Sequence, residues 1–401
     1  MSLKNAVGGV ALIAGTAIGA AVLALPVTTA HLGFITTLCI YTICWFFMTL
    51  SALYLLETNL LVGVGTNLIS MAEKTFGGFG KIFTFAIYLI LLYALTAAYL
   101  DGASSWIRHG FSHFNFQIHP FNAAIIAALF TMCIITLGTA FTDWTNRFLM
   151  IGLISAFFTL GFSTGENINL ELLFLQPNQF DITPLPLIIT AFGSAIVIPT
   201  LTEYLHGKPK QLVWVVIIGS LIPLITYIIW EFVILGVIPV TGKVSLLTIQ
   251  QHGHPATDVP LALQALLKNP WITQAATYFS IFALLTSLLG VTLSLFDFLA
   301  DGLHLSKTFK HKLFLALITF IPPLGFTTFY PRGFIIALSF AGLFVAILLG
   351  ILPAMMVYQA RYRLQLKSPL KILGGKILLA FSILFFLCVS FTEIMNQFKA
   401  F

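Results

Sequence analysis

The sequence predicts an all-α membrane protein with eleven transmembrane helices, of which the first and the sixth are interrupted. Hydrophobic residues make up 59% of its 401 residues and charged residues only 8%, whereas soluble domains carry about 25% charged residues. Eleven apolar runs are each long enough to cross a bilayer, which takes about 20 helical residues. Two of them contain Gly15-Thr16-Ala17-Ile18 and Gly193-Ser194-Ala195-Ile196, each followed by a proline, at corresponding places in the two halves.

The predicted spans follow one another with few long connections. The first run starts directly behind Lys4 and is too long for the apolar part of a signal peptide, which predicts an uncleaved span. Tyr330-Pro331-Arg332-Gly333 indicates a tight turn between the ninth and tenth spans. Thr66–Phe76 is amphipathic and predicted to lie at the inner interface, and the outer connection 237–270 contains a helix-like part around Pro260–Lys268. The approximate limits of the spans are 6–30, 33–62, 81–107, 121–141, 145–165, 185–206, 211–236, 271–299, 312–330, 333–358 and 372–396.

The basic residues predict the orientation, because cytoplasmic loops carry an excess of Lys and Arg. With the N-terminus inside, 14 of the 19 basic residues fall on the cytoplasmic side, and the C-terminus lies outside. Five spans precede the second interrupted span, which therefore enters the membrane in the opposite sense to the first, as in an inverted five-plus-five repeat. The predicted division is 1–165 for the first repeat, 166–358 for the second and 359–401 for an additional span.

The two interruptions predict a substrate site. A break at membrane depth frees backbone N–H and C=O groups that lipid cannot satisfy, and in secondary transporters such breaks bind the substrate. The first break favours an anionic group such as a carboxylate, and the second offers carbonyls to an amino group. In the alternative interpretation, Gly15 and Gly19 form a helix-packing motif and Phe192 only packs. The predicted binding residues at the breaks are Thr16, Ala17, Ile18, Gly19, Phe192, Gly193, Ser194 and Ala195.

Three side chains of the third span are candidates for the wall of this site. Tyr93 and Thr96 share one helix face through their i,i+3 spacing, and Tyr99 follows them. An aromatic ligand needs apolar walls with one or two polar groups, which these residues offer. Tyrosines in a phenylalanine-rich bundle are also commonly structural, so both interpretations stay open.

Other classes of function find little support in the sequence. The four cysteines lie in apolar runs without disulfide or zinc spacing. The basic residues lie in short loops, which indicates topology rather than nucleic-acid binding. The motifs of a membrane-embedded enzyme, such as HExxH or GxSxG with a plausible base, do not occur. A channel needs a pore-lining ring, generally built by symmetry, and this chain offers an asymmetric pair of breaks. No cofactor is predicted.

Several sequence blocks resemble one family of transporters. They are Ala14–Ala20, Tyr93–Tyr99, Leu295–Asp301, Phe320–Leu324 and Phe329-Tyr330-Pro331-Arg332-Gly333-Phe334. Over nearly its whole length, the chain resembles the tyrosine-specific transporters of the bacterial hydroxy/aromatic amino acid permease family. This resemblance implies eleven spans, the leucine-transporter (LeuT) fold of the amino acid-polyamine-organocation superfamily, proton-driven uptake, and a substrate contact at Phe340. After the Phe-Gly of the sixth span, tyrosine and tryptophan members usually have an aromatic residue and a histidine, where this chain has Ser194 and Ala195.

The fold resemblance also suggests a sodium site. In sodium-coupled members of the fold, the spacing Ala283-x-x-Thr286-Ser287 supplies one carbonyl and two hydroxyls, and the first span adds carbonyls at positions that match Gly15 and Ile18. Such a set of oxygen ligands suits a hard cation. Some proton-coupled relatives instead place a basic residue of the fifth span in this cavity, and the fifth span here contains none from Phe148 to Gly165. The cavity could therefore hold sodium, hold water or be closed by packing.

Proton coupling needs a titratable group, and an acid inside the membrane is the default candidate. Glu203 follows Pro199 by about one helical turn, close to the second break, and is the first candidate. Asp101 is another, although it could pair instead with Arg108 or Arg332. The full set of acids, all towards span ends, is Glu57, Asp101, Glu203, Glu231 and Asp297.

Together the residues and the resemblance predict a secondary active transporter. We expect it to import an aromatic amino acid, tyrosine, across a bacterial inner membrane by proton symport with alternating access. A sodium-coupled transporter, or a symporter for tryptophan or a broader range of neutral amino acids, is the alternative. The expected partners are the amino acid, the coupling ion and the lipid bilayer, without nucleic acid.

Overall fold

A computed structural model describes residues 3–174, 181–205, 209–305, 309–329, 333–366 and 369–400, and these residues form helices and connecting loops without a β-strand. The α-helices are α1 (Leu3–Ala17), α2 (Leu25–Thr29), α3 (Phe34–Val62), α4 (Leu68–Ser112), α5 (Pro120–Thr136), α6 (Thr139–Thr164), α7 (Leu170–Phe174), α8 (Leu185–Ala191), α9 (Ile198–Tyr204), α10 (Pro209–Val237), α11 (Leu246–His252), α12 (Pro255–Leu267), α13 (Pro270–Gly302), α14 (Phe309–Phe329), α15 (Gly333–Val345), α16 (Leu352–Tyr358) and α17 (Gly375–Ala400).

The helices identify a multi-pass membrane protein. Within the described part of the chain, nine helical segments are long and apolar enough to cross a bilayer, and a bent pair at the N-terminus raises this number to ten. The predicted fourth span corresponds to α5, which has only 17 residues, so the count of eleven stays a prediction. Large apolar side chains such as Phe162 (85% exposed) and Ile377 (72% exposed) cover the outside of the bundle, as expected where lipid is the solvent.

The chain leaves regular helical geometry in the first predicted span. Helix α1 ends at Ala17, Gly19 is extended (φ −143°, ψ −161°), and a 3₁₀-helix over Ala20–Ala24 leads into α2. The axes of the segments before and after this point are bent by 47°. Pro26 lies in the first turn of α2, where its missing N–H costs no hydrogen bond.

The sixth predicted span changes geometry at a matching place. Helix α8 ends at Ala191, Gly193 has non-helical dihedral angles (φ −67°, ψ 32°), and a 3₁₀-helix over Ser194–Val197 precedes α9. Pro199 again lies at the start of the following helix. Small residues and a nearby proline thus accompany the change of geometry in both spans.

The predicted segments outside the spans also have counterparts. Gly77, with φ +70°, separates the first residues of α4 from its long remainder, so the amphipathic Thr66–Phe76 segment is set apart from the third span. In the connection 237–270, α12 runs over Pro255–Leu267 and begins earlier than the sequence indicated, and the additional helix α11 precedes it. Residues 330–332 of the predicted tight turn lie outside the described residues.

Packing places both interrupted segments at the centre of the bundle. Helix α10 lies against α1 and α3, α13 lies against α4 and α6, and α15 lies against α4 and α8. The residues just after the first interruption, Val22 to Leu25, have no exposed surface. Ile18, Gly19 and Gly193 themselves are half-buried, so the backbone groups freed at the interruptions are satisfied by protein groups or by ordered water.

A buried ion pair joins α3 to the C-terminal part of the chain. The Glu57 carboxylate accepts hydrogen bonds from the guanidinium of Arg361 (Nε to Oε1, 2.5 Å, and Nη2 to Oε2) and from the N–H of Ile372 at 2.9 Å. The side chains of Glu57 and Arg361 are 0% and 5% exposed. Arg361 also donates to the carbonyl of Ile372 at 2.9 Å, so one ion pair holds three segments together.

We predict that Glu57→Gln lowers the stability of the purified protein, because it leaves the Arg361 charge buried and uncompensated. Breaking such a pair costs about 3–5 kcal/mol, which thermal unfolding in detergent would show as a lower Tm. The matched control is Glu73→Gln, whose partner Lys81 lies 3.3 Å away in a half-exposed pair. Such pairs are worth about 0–1 kcal/mol. Equal effects of the two substitutions would contradict a stabilising role for the buried pair.

Candidate functional site

One tyrosine hydroxyl connects the two interruptions. Tyr227 of α10 is fully buried, and its hydroxyl oxygen lies 2.7 Å from the carbonyl oxygen of Ala17 and 2.8 Å from that of Ala191. Ala17 is the last residue of α1 and Ala191 is the last residue of α8. Both carbonyls therefore belong to helix ends, where the usual intrahelical N–H donors are missing.

The two helix ends make this place attractive to a cation. A hydroxyl group has a single hydrogen, so Tyr227 can donate to Ala17 or to Ala191 but not fully to both. The C-terminal ends of helices also carry partial negative charge. The carbonyls at two such helix ends share the single hydrogen of the Tyr227 hydroxyl. An ammonium group could donate the further hydrogen bonds that these carbonyls can accept.

Ser287 of α13 satisfies the other side of the first interruption. The N–H of Ala20 donates to the Oγ of Ser287 at 2.8 Å. A Cβ atom on Gly19 would come within 2.5 Å of the same oxygen. The glycine thus leaves the space in which a serine hydroxyl reaches the broken backbone.

The remaining residues of the suggested sodium site make different contacts in the structure. The hydroxyl of Thr286 lies 2.8 Å from the carbonyl oxygen of Phe282 and 3.1 Å from that of Ala283, so it is satisfied within α13. A Cβ atom on Gly15 would lie 3.2 Å from the Cε of Met150 in α6. Of the proposed ligands, Ser287 is the one whose side chain contacts the interruption directly.

A small cavity lies beside both interruptions. Its walls include Ala17 from the first interruption, Phe192, Ser194 and Ala195 from the second, and Ser220 from α10. The volume is about 10 Å³, which is room for about one water molecule. An amino acid does not fit into this space, so the protein is closed around the interruptions in this conformation.

The predicted residues at the interruptions differ in their surroundings. Phe192 is buried, and its ring meets the ring of Tyr227 edge-on, with centroids 5.0 Å apart. The N–H of Ser194 donates to the carbonyl of Phe192 at 2.7 Å, and the N–H of Ile18 donates to that of Ala14 at 2.9 Å. Thr16 is exposed on α1, with its hydroxyl on the carbonyl of Leu12, and does not line the cavity.

The third-span candidates are only partly brought towards this region. Tyr93 donates its hydroxyl to the carbonyl of Ile318 in α14 at 2.8 Å, which ties it to a neighbouring helix. Thr96 is fully buried and donates within its own helix to the carbonyl of Leu92. Tyr99 is buried in the main core, to which Ala20 and Phe192 also belong. Phe340 is partly buried against the same core.

The acidic candidates occupy three different environments. Glu203, the first candidate from the sequence, is exposed at the end of α9 and faces Gly65 in the loop before α4. Asp101 is buried, accepts the N–H of Phe334 in the first turn of α15 at 3.0 Å, and lies 3.7 Å from the Nδ1 of His254. Glu231 is buried one turn after Tyr227 on α10.

Comparison with known proteins identifies the family. The family model described as the tryptophan/tyrosine permease family matches residues 2–393. The chain belongs to this family. It is therefore a transporter and not an enzyme, and the family resemblance seen in the sequence is confirmed.

The permease is similar to curated relatives along nearly its whole length. It is 34% identical to the tyrosine-specific transport system 1 of Haemophilus influenzae, over 94% of this chain and 93% of the relative. It is 33% identical to the tyrosine-specific transport system 2 of the same organism, over 95% of this chain and 94% of the relative. It is 29% identical to the tryptophan-specific transport protein of that organism, over 94% of this chain and 93% of the relative.

A solved transporter structure shares the fold of the permease. It is the crystal structure of the Eremococcus coleocola manganese transporter in complex with an aromatic bis-isothiourea substituted compound. The TM-score is 0.66 at 13% identity, over 97% of this chain and 85% of that one. At this level of identity, the likeness concerns the fold alone.

Sequence analysis missed Tyr227 as a residue of the site. Tyr227 and Glu231 are four residues apart in an otherwise apolar span, and this spacing places them on one helix face. That pattern was a usable signal. The partners of Tyr227, in contrast, are backbone carbonyls of distant segments, which the pattern of side chains does not reveal.

We predict that Tyr227→Phe impairs transport by the permease strongly while membrane insertion is unchanged. The variant leaves the carbonyls of Ala17 and Ala191 without their donor, which costs about 1–3 kcal/mol or a factor of about 5–150. Uptake of a labelled substrate into proteoliposomes measures the effect. Tyr278→Phe, on a 53% exposed tyrosine of α13, is the matched control. Equal activity of both variants would show that the bridging hydroxyl is dispensable.

We also predict that Gly19→Ala reduces uptake by about tenfold or more, because its Cβ displaces Ser287 from the N–H of Ala20. Adding Ser287→Ala removes the atom in conflict and should restore part of the activity. Gly161→Ala serves as the control, since a Cβ atom there meets no atom within 4 Å. If the loss of uptake in the double variant, expressed as a free energy, equals the sum of the losses in the two single variants, the contact with Ser287 does not explain the effect of Gly19→Ala.

Proposed function

We propose that the permease imports tyrosine across the inner membrane of a bacterium by proton-coupled symport. The observation that carries this proposal is the meeting of two helix C-termini at the hydroxyl of Tyr227. Two carbonyls that share one donor suit the ammonium group of an amino acid. Tyrosine is the proposed substrate because the two relatives with 34% and 33% identity are both tyrosine-specific.

The proposed binding mode uses both interruptions. The N–H of Gly19 would bind the substrate carboxylate; those of Thr16, Ala17 and Ile18 are not available, because Thr16 and Ala17 lie within α1 and the N–H of Ile18 donates to Ala14. The carbonyls around Phe192 to Ala195 would bind the amino group, in addition to the carbonyls of Ala17 and Ala191. Tyr99 and Phe340 would form walls for the aromatic ring. Since the closed cavity is too small for an amino acid, binding requires the helices around it to separate.

The proposed transport cycle is alternating access. The nine long helical segments, the bent N-terminal pair and α5 together would supply the eleven spans. In this arrangement, residues 1–165 and 166–358 form inverted repeats, 359–401 provide an extra span, and the N-terminus is cytoplasmic. The first and sixth spans act as discontinuous helices, and they rock with the second and seventh against the remaining spans.

Sodium coupling is the second candidate, because Ser287 lies against the first interruption. In this geometry Thr286 donates its hydroxyl hydrogen to carbonyls within α13, and the lone pairs of its oxygen stay available to a cation. If sodium drives transport, Thr286→Ala combined with Ser287→Ala should abolish the dependence on sodium.

We predict that labelled tyrosine accumulates in proteoliposomes under an inward proton gradient alone. One proton per substrate at a gradient of about two pH units supports accumulation of up to about 100-fold. Proton and sodium gradients should be imposed independently, with unlabelled tryptophan, phenylalanine and leucine as competitors. A strict sodium requirement would replace the proton by sodium in the proposal. Stronger competition by tryptophan than by tyrosine would reassign the substrate, and no uptake under either gradient would overturn the proposal.

A further inference from the structure

A carboxyl group is buried inside the bundle, and none of the described residues provides a countercharge in contact with it. Glu231 is 1% exposed, and its two oxygens contact two hydroxyl groups: Oε1 lies 2.6 Å from the Oγ1 of Thr29, and Oε2 lies 2.7 Å from the hydroxyl of Tyr41. Thr29 and Tyr41 themselves have no exposed surface. A charged carboxylate in such a place is expensive, and an ionisable residue within the membrane is a functional candidate by default.

The neighbouring titratable groups do not neutralise this carboxyl group. Tyr41 faces it from α3, and Tyr227 lies one turn away on α10 itself. At the outer end of α10, the segment 165–174 brings Glu166 and Glu171, which are both exposed. Helix α2 contributes no ionisable side chain. Among the described residues, no lysine, arginine or histidine forms an ion pair with Glu231.

The hydrogen bonds around Glu231 are compatible with both protonation states. The hydroxyl of Thr29 lies 2.7 Å from the carbonyl oxygen of Leu25 and 2.6 Å from Glu231, but it has only one hydrogen. When Glu231 is ionised, Thr29 and Tyr41 both donate to it. When Glu231 is protonated on Oε1, it donates to Thr29, whose own hydrogen turns to Leu25.

The change at Thr29 reaches the first interruption. Leu25 and Thr29 belong to α2, the segment that continues from the interruption at Ala17–Ala20. Protonation therefore adds a hydrogen bond inside α2, and loss of the proton removes it. On the other side, α10 carries both Glu231 and Tyr227, and Tyr227 contacts the carbonyl ends of both interruptions. The acid is linked to the candidate substrate site through two separate elements.

An ionisable pair lies near Thr29 on the outer side. His31 contacts Asp181 at 3.1 Å, and the two side chains are 21% and 36% exposed. Partial burial raises the pKa of Asp181, but hydrogen bonds from Thr183 and the neighbouring His31 outweigh this effect, so the pKa lies below its ordinary value. Asp181 therefore stays ionised at neutral pH and places a negative charge in contact with solvent, beside a histidine two residues beyond Thr29.

We propose that Glu231, held by Thr29 and Tyr41, binds the proton that the permease transports together with its substrate. The proton enters from the outer side, is carried on Oε1 while the amino acid occupies the interruptions, and leaves to the inner side. A zwitterionic amino acid is neutral overall, so each cycle moves one positive charge inwards. This assignment rests on the proton-coupled import proposed above and replaces Glu203 as the coupling residue.

The test compares exchange with accumulation in proteoliposomes. Glu231→Gln keeps the shape of the protonated acid but cannot release a proton. We expect it to exchange labelled for unlabelled tyrosine at a rate within a factor of about two of the parent protein, since that exchange needs no net proton movement. Under a proton gradient of about two pH units, its accumulation should fall from up to about 100-fold to about 1.

A second buried acid provides the matched control. Glu393 of α17 is also 0% exposed, and its oxygens contact the side-chain amides of Gln397 at 2.6 Å and Asn396 at 3.5 Å on the same helix. Glu393→Gln should leave proton-driven accumulation unchanged. Loss of accumulation in this control but not in Glu231→Gln would overturn the assignment, as would normal accumulation by Glu231→Gln.

A second variant decides the outcome if Glu231→Gln neither exchanges nor accumulates. Tyr41→Phe removes one of the two donors that stabilise the ionised carboxylate, so the proton is held more tightly. The pH at which proton-driven uptake is half-maximal should then move upwards by about one unit. An unchanged or lower value overturns the assignment.

The parent protein separates this proposal from the one on which it rests. If the parent neither exchanges nor accumulates tyrosine, the proposed substrate is wrong. If the parent exchanges tyrosine but a proton gradient drives no accumulation, the substrate assignment stands, and the proposed proton coupling is wrong together with its site. If a proton gradient drives accumulation equally in the parent and in Glu231→Gln, the proton coupling stands and only the assignment to Glu231 is wrong.

Discussion

The architecture depends on one requirement: backbone groups freed inside a membrane protein need hydrogen-bond partners from the protein itself. The permease meets this requirement with very few groups. The hydroxyl of Tyr227 reaches the last carbonyls of α1 and α8, and the hydroxyl of Ser287 reaches the N–H of Ala20. These contacts link α10 and α13 to the interruptions. The helices that surround the site are thus also the ones that hold it closed.

A shortage of donors distinguishes a binding site from a purely structural break. A structural break would be expected to provide one protein donor for each freed carbonyl, or a site for an ordered water, since an unsatisfied buried group costs about 1–3 kcal/mol. Here one hydroxyl hydrogen serves two carbonyls. A cationic ligand would remove this deficit, and the energy of its binding could then separate the helices that Tyr227 holds together. The geometry therefore favours a site that a charged amino group stabilises.

The sequence was sufficient for features that depend on local composition. Nine helical segments and one bent pair lie where apolar length predicts spans, and non-helical backbone angles occur at the runs of small residues before Pro26 and Pro199. Contacts between distant segments could not be predicted in the same way. Tyr93 shares a helix face with Thr96, yet its hydroxyl is bound to α14. Glu203 is close to the second interruption along the chain, but α9 carries it to an exposed end, because one and a half turns of helix are enough to leave the buried layer.

The position of Glu231 explains how substrate and proton could be coupled without direct contact. Tyr227 and Glu231 are one turn apart on the rigid helix α10, and Thr29 lies in α2, which continues from the first interruption. An amino group that draws the carbonyl of Ala17 away from Tyr227 must move α1 relative to α10. A proton that arrives at Glu231 changes the hydrogen bonding of α2 relative to the same helix. Both events act on the packing of the first span against α10, and coupling between two sites requires such a shared element. The free energy of the coupling is then limited by the hydrogen bonds that both events exchange, which is about 1–3 kcal/mol for a buried group.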